Sequence, residues 1–193
     1  TLAGNIDLYQ VTGQDIYGAT SSGNVIARHI EAKSNIDFHS DNGDLDLDYL
    51  TGNLEASTSN GHIELDDVRG AATVWTSIGE IYAKMIRSAF NGRTSVGNIF
   101  INKVWDREYE DHEINLKTSA GDIELLLPND FPANFRLNVL YPSSLPSEAI
   151  ISDFPLYITA GQGFSKAKGR NQTGIYSVTL ESAVGTIEVM SKQ

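Results

Sequence analysis

GDLDLDYLTGNLEASTSNGHIELDDVRGAATVWTSIGEIYAKMIRSAFNGRTSVGNIFINKV, residues 43–104, reads as a ruler. Gly43, Gly52, Gly61, Gly70, Gly79, Ser88 and Gly97 fall nine residues apart. Two kinds of nonapeptide alternate, so the full repeat is 18 residues. The first kind sets apolar side chains two, four and seven places after its glycine: Leu45, Leu47 and Leu50; Ile63, Leu65 and Val68; Ile81, Ala83 and Ile86; Ile99, Ile101 and Val104. The second kind carries Leu54, Ala56 and Thr58-Ser59, then Ala72, Val74 and Thr76-Ser77, then Phe90, Gly92 and Thr94-Ser95. Short runs of period two bounded by glycine are strands. A fixed period of this length marks a solenoid. The prediction is therefore an all-β fold, a parallel β-solenoid or β-helix, with a right-handed path by the crossover rule. Each coil would be built from two nonapeptides and stack on the next at roughly 4.8 Å. A two-sided and a three-sided coil both fit this pattern.

Outward from that stretch the ruler weakens but continues. Residues 4–12, 23–33 and 121–125 copy the first nonapeptide, and 13–22, 34–42 and 112–119 the second. The acidic hexapeptide Asp106 to Asp111 interrupts it. The reading is one domain over 1–193. It has regular coils over 1–125 with the insertion 106–111, an irregular Pro-rich excursion over 126–175 that holds all five prolines, and a closing coil over 176–193. About eight coils at that spacing give a rod roughly 35–40 Å long. Leu45, Ile63, Ile81, Ile99 and Ile123 should form one core column, and Leu47, Leu65, Ala83, Ile101 and Leu125 another. Thr58, Thr76, Thr94 and Thr118 should form a ladder of hydroxyls running from coil to coil, a structural device for buried polar groups.

Composition bounds the function. Of 193 residues, 40% are apolar and 20% charged, which is globular rather than disordered. The net charge of −11 argues against a nucleic-acid backbone or an anionic membrane as partner. No apolar run is long enough for a membrane helix. The absence of Cys removes disulfides and thiolate metal sites. The repeat is already running at Gly4 behind Thr1, so the natural chain is expected to extend N-terminally.

The units Thr58-Ser59-Asn60-Gly61-His62-Ile63, Thr76-Ser77-Ile78-Gly79-Glu80-Ile81, Thr94-Ser95-Val96-Gly97-Asn98-Ile99 and Thr118-Ser119-Ala120-Gly121-Asp122-Ile123 resemble an uncharacterised adhesin-like family with repeated T-S-x-G-D-I-x-L units. The stretches Leu127-Pro128-Asn129-Asp130-Phe131-Pro132 and Asp153-Phe154-Pro155-Leu156 and the closing Gly185-Thr186-Ile187-Glu188-Val189 resemble it as well. That resemblance implies a β-solenoid of unknown function, extracytoplasmic (cell-surface, periplasmic or secreted), with no catalytic motif to carry over.

The remaining candidates come from the outward places. Asp44, Asp46 and Asp48 cluster with Glu64, Asp66 and Asp67 one coil on. Asp44, Asp46, Glu64 and Asp66 are the weak metal candidates, for a loosely held Ca2+ at most. The two-glycine turns of a calcium roll are missing, and the plainer reading is a solvated acidic face with no cofactor. The insertion with His112 and Glu113 reads as a loop bulging from a corner rather than a metal centre. Tyr82 and Phe100 share an outward column on adjacent coils and should stack, with Trp75 placed near the same edge. Those three are the candidate partner-binding residues. The leading expectation is a non-enzymatic interaction or adhesion-like protein for a protein or glycan partner. The alternatives are a structural module that polymerises by end-to-end self-association through its coil ends, and a carbohydrate-binding or carbohydrate-active β-helix.

Overall fold

A computed structural model describes residues 1–142 and 144–192, and among these every regular element is a strand. The N-terminal strands are β1 (Ile6–Gly13), β2 (Ile16–Ser22), β3 (Val25–Asn42) and β4 (Leu45–Asn60). Then come β5 (Ile63–Arg69), β6 (Ala72–Ile78), β7 (Ile81–Ile86), β8 (Phe90–Val96) and β9 (Ile99–Lys103). The C-terminal part holds β10 (Ile114–Ala120), β11 (Ile123–Pro128), β12 (Ala133–Pro142) and β13 (Ile150–Ser152). It ends with β14 (Leu156–Gly161), β15 (Phe164–Arg170), β16 (Tyr176–Gly185) and β17 (Ile187–Lys192). The fold is a β-solenoid whose first six turns, from Gly4 to Ala120, follow one another in order.

Each coil has two strand-bearing sides. On the first, Ile63 pairs with Leu45 before it and Ile81 after it, in register and parallel. On the second, Thr76 pairs with Thr58 and Thr94. The sides meet at the repeated glycine and, at the other end, through a short link. That link opens on a left-handed residue in five successive coils: Gln10, His29, Tyr49, Asp67 and Met85. Core columns run as the periodicity requires, with Leu45, Leu47, Ile63, Leu65, Ile81, Ile99, Ile101 and Leu125 all buried. Volume is balanced between neighbouring coils. Phe38 lies beside Gly18 and Ala56, and a Cβ on Gly18 would press its ring at 3.0 Å.

The threonines do not form a coil-to-coil hydroxyl ladder. Each hydroxyl crosses its own coil to the carbonyl of the glycine that begins it: Thr58 to Gly43 at 2.9 Å, Thr76 to Gly61 at 3.0 Å, Thr94 to Gly79 at 3.0 Å. The reason lies in the glycine corner, whose carbonyl turns away from the sheet ladder and needs a donor. The ties between coils come from the residue after each glycine. Asn24 Oδ1 accepts from Asp44 N at 2.9 Å, Asp44 Oδ1 from His62 N at 2.7 Å, and Asp122 Oδ1 from Thr186 N at 2.7 Å.

Two further expectations change. Lys103, not Val104, takes the buried corner place, because this coil lacks the left-handed residue and its register slips so that Ile86 pairs with Lys103. The Lys103 ammonium donates to Ser88 O at 2.6 Å, under the inserted loop. Asp67 is not part of a solvated acidic face. It is 3% exposed, held by Arg69 at 2.9 Å and Arg87 at 2.7 Å, with Arg87 reaching Asp106 of the insertion at 3.4 Å.

The C-terminal third differs most from its reading. The stretch 126–175 contains β12, β13 and the antiparallel hairpin β14–β15. The coil 176–192 does not close the stack. β16 lies between β10 and β12, and β17 between β11 and β13. The chain thus leaves one coil position vacant, builds the outermost coil, adds the hairpin beyond it, and returns to fill the gap. On this end Phe135 packs on Phe154 and Phe131 on Tyr176, sealing the core.

Candidate binding face

Tyr82 and Phe100 occupy opposed positions on β7 and β9, and their rings stack at 4.6 Å between centroids with 19° between planes. Lys84 Nζ lies 4.5 Å from the Tyr82 centroid. Trp75 is not with them. It projects from β6, on the other strand-bearing side, because the half-coil that carries it is a separate sheet column. Its nearest aromatic neighbour is His39, at 6.5 Å. The three candidates therefore form two sites. The C-terminal stretch covers neither, since Trp75 stays 37% exposed and Tyr82 36%.

The acidic candidates disperse. Asp44 is spent on the His62 backbone, and Asp46 and Asp48 share Arg28. Glu64 lies between Asp46 and Tyr82 in the same column, and Asp66 between Asp48 and Lys84. Among the described residues no three of His, Asp and Glu converge as a metal site. His112 is fully buried, edge-on to Tyr176 at 4.9 Å and to Phe131 at 6.1 Å, so it faces the core rather than a surface ligand. Burial, and then the neighbouring Lys103, hold its imidazole below the ordinary range.

Around Trp75 the surface forms an open groove of about 520 Å³, lined by Thr73, Trp75, Ser77, Asn91, Arg93 and Lys117 among others. Its floor comes from β6, β8 and β10, each paired in parallel on both sides. Their backbone groups are engaged in the ladders, so the groove can recognise a ligand only through side chains. Trp75, Arg93 and Lys117 are successive members of one outward column, and Thr73, Asn91 and Asn115 of the next. Lys117 is paired with Glu181 at 2.9 Å. Arg93 makes no ion pair among the described residues.

The same two columns continue past the groove. Beyond Lys117 come Glu181, Asn138, Lys166 and Thr159; beyond Asn115 come Thr179, Arg136, Lys168 and Tyr157. Sequence reasoning missed this surface. One signal was present, since Arg93 and Lys117 both precede the repeated threonine. Arg136, Lys166 and Lys168 gave none, because their place depends on β16 entering between β10 and β12.

The family model described as Toastrack DUF4097 matches residues 1–189 of the chain. No curated protein and no solved structure matches it.

Proposed function

The chain belongs to the Toastrack DUF4097 family, and from that premise we propose that it is a non-enzymatic binding protein, adhesion-like and extracytoplasmic, that holds its partner on an outer face. The observation that carries this reading is the Trp75 groove. An exposed indole, a guanidinium with no acidic partner among the described residues and a set of hydroxyls and amides stand on a floor of doubly paired strands. Such a floor is rigid, so binding costs little ordering. The lining supplies one carboxylate, Glu55, where glycoside cleavage draws on two. The placement outside the cytoplasm rests on the resemblance to adhesin-like proteins, and fractionation of the native source with an antibody to the chain tests it. The immobilised chain, presented to glycan and envelope-protein arrays, should retain a ligand that W75A loses and release no cleavage product. Retention indifferent to W75A, or turnover of a bound glycan, would overturn the reading.

Self-association is a second reading. It is supported by the N-terminal coil, where Ile6, Leu8 and Val11 hold core columns yet stay only half-buried. Sedimentation velocity with and without I6K checks it: a concentration-dependent larger species that I6K abolishes supports it, and a monomer at all concentrations removes it.

A further inference from the structure

The outward face that begins at Trp75 and ends at Tyr157 crosses seven strands, β6, β8, β10, β16, β12, β15 and β14. Six spacings make it about 29 Å long. Its two columns hold Arg93, Lys117, Arg136, Lys166 and Lys168, all exposed, against Glu181 within the strip and Glu55 at its Trp75 end. Five of the chain's 14 basic residues thus stand together on a molecule of net charge −11, a local excess of 5 − 2 = 3 positive charges. Asn91 Oδ1 and Asn138 Oδ1, one in each column, lie buried without a protein hydrogen-bond partner among the described residues. Buried acceptors are ordinarily satisfied, so both are notable. Turning either amide outward about its last torsion gives up no bond to that oxygen.

From these observations we infer that this strip binds a linear acidic glycan, a polymer of carboxylated sugars lying along the stack from Trp75 towards Tyr157. The ligand must bring acceptors for the guanidinium and ammonium groups and donors for the two orphaned amide oxygens. Carboxylated sugars bring both. Phosphodiester polymers and phospholipid headgroups bring the acceptors but few donors. A peptide strand cannot add within this face, since in sheet order every strand from β6 through β15 is paired on both sides; among the described residues the open edge is that of β14, at the far end of the strip. Trp75 offers a flat indole for the apolar face of a sugar ring, and successive coils repeat at about 4.8 Å, close to the rise of an extended sugar chain.

The inference rests on the reading of this face as the binding face, and the test separates the two. The whole chain is titrated at low and moderate salt with a galacturonate hexamer, its methyl ester, an oligothymidylate and vesicles of anionic phospholipid. Calorimetry and indole fluorescence are the readouts, and circular dichroism checks the fold of each variant. The galacturonate should bind most tightly. Its affinity should fall about tenfold or more on esterification, and likewise in the R93Q/R136Q/K168Q variant. N138L should weaken the galacturonate and leave any residual oligothymidylate binding unchanged. Y82A, on the other side of the coil, should change nothing. Equal binding of the ester, no binding of the acid, or tighter binding of oligothymidylate or vesicles overturns the acidic-glycan assignment. If the array ligands are still lost in W75A, the face remains the binding face and only the ligand class falls. If they persist in both W75A and the triple variant, both readings fall together.

Discussion

Thr76, Gly61 and Gly79 explain why the repeat is written as it is. The Thr76 hydroxyl holds the Gly61 carbonyl at 3.0 Å, and that oxygen occupies the space where a Cβ on Gly79 would stand. Each threonine thus fixes the carbonyl that obliges the next coil to begin with glycine. G79A, at φ +152 and against backbone, should cost at least ~3 kcal/mol in urea unfolding. G163A, at φ +77 with open space around it, should cost only about 1–2 kcal/mol. T76V strands a buried carbonyl and should cost ~1–3 kcal/mol. Equal losses for the two glycine variants would remove the overlap argument. Lys103 carries the second prediction at this scale. Burial pushes its amine from 10.5 down to about 7, with Asp111 and Asp106 opposing and Lys192 reinforcing; His112 stands beside it. Between pH 7 and 10.5 the unfolded chain holds a proton that the folded chain lacks, so stability rises with pH across that window and this contribution is level below it. The rise is at most about 5 kcal/mol. K103M should flatten the dependence of the urea midpoint between pH 7 and 10, although it leaves the Ser88 carbonyl without its donor. The spacing of the glycines was enough to find the corners. It could not reveal Lys103, because its inward turn follows from one missing left-handed residue, and backbone sign is invisible in a residue name.

The strands themselves were legible because their period of two recurs from coil to coil. Which side a strand belongs to was less so. Trp75 and Tyr82 are seven residues apart, yet a glycine corner lies between them and sends them to different faces. The residue after each glycine shows what a family-like motif does mechanically. Asp122 accepts from the Thr186 amide at 2.7 Å and from its hydroxyl at 2.8 Å, binding β11 to the start of β17 across 64 positions of sequence. D122A should therefore cost about 1–2 kcal/mol, the range of a lost helix or strand cap. D122N, which keeps the acceptor, should recover most of it. The exposed T73V, whose side chain has no such duty, should stay within about 0.5 kcal/mol of the parent. Thermal melts of the three variants check the order. A D122N as damaging as D122A would show that charge, not acceptance of a backbone proton, is what the position supplies.

At the scale of the molecule, the last repeat could be recognised but not seated. Phe135, Leu137 and Val139 of β12 alternate as Val178, Leu180 and Ser182 of β16 do, and periodicity gives either strand an equal right to lie on β10. What decides is the corner. Gly185 sits where a Cβ would overlap the Gly121 carbonyl, whereas the residue of the outermost coil paired with it is Pro142, whose ring and fixed negative φ forbid the glycine conformation. Only β16 and β17 fit against the regular stack, so β12 and β13 reach it through them alone. Among the described residues β12 pairs otherwise with β15, and β13 with no strand but β17. Removing residues 176–193 should therefore do more than delete a coil. It should release 133–175, because Pro142 prevents the outermost coil from sliding down into the empty place. In the shortened chain trypsin should cut rapidly at Arg136, Lys166, Lys168 and Arg170, while the coils before Pro128 resist, as expected of a solenoid stabilised between neighbours. The same sites should be slow in the full chain. If the shortened chain stays resistant at Arg136, the outermost coil has moved one place along the stack. The glycine rule would then be weaker than the overlap at Gly121 implies, and a further change, P142G, should make that movement complete.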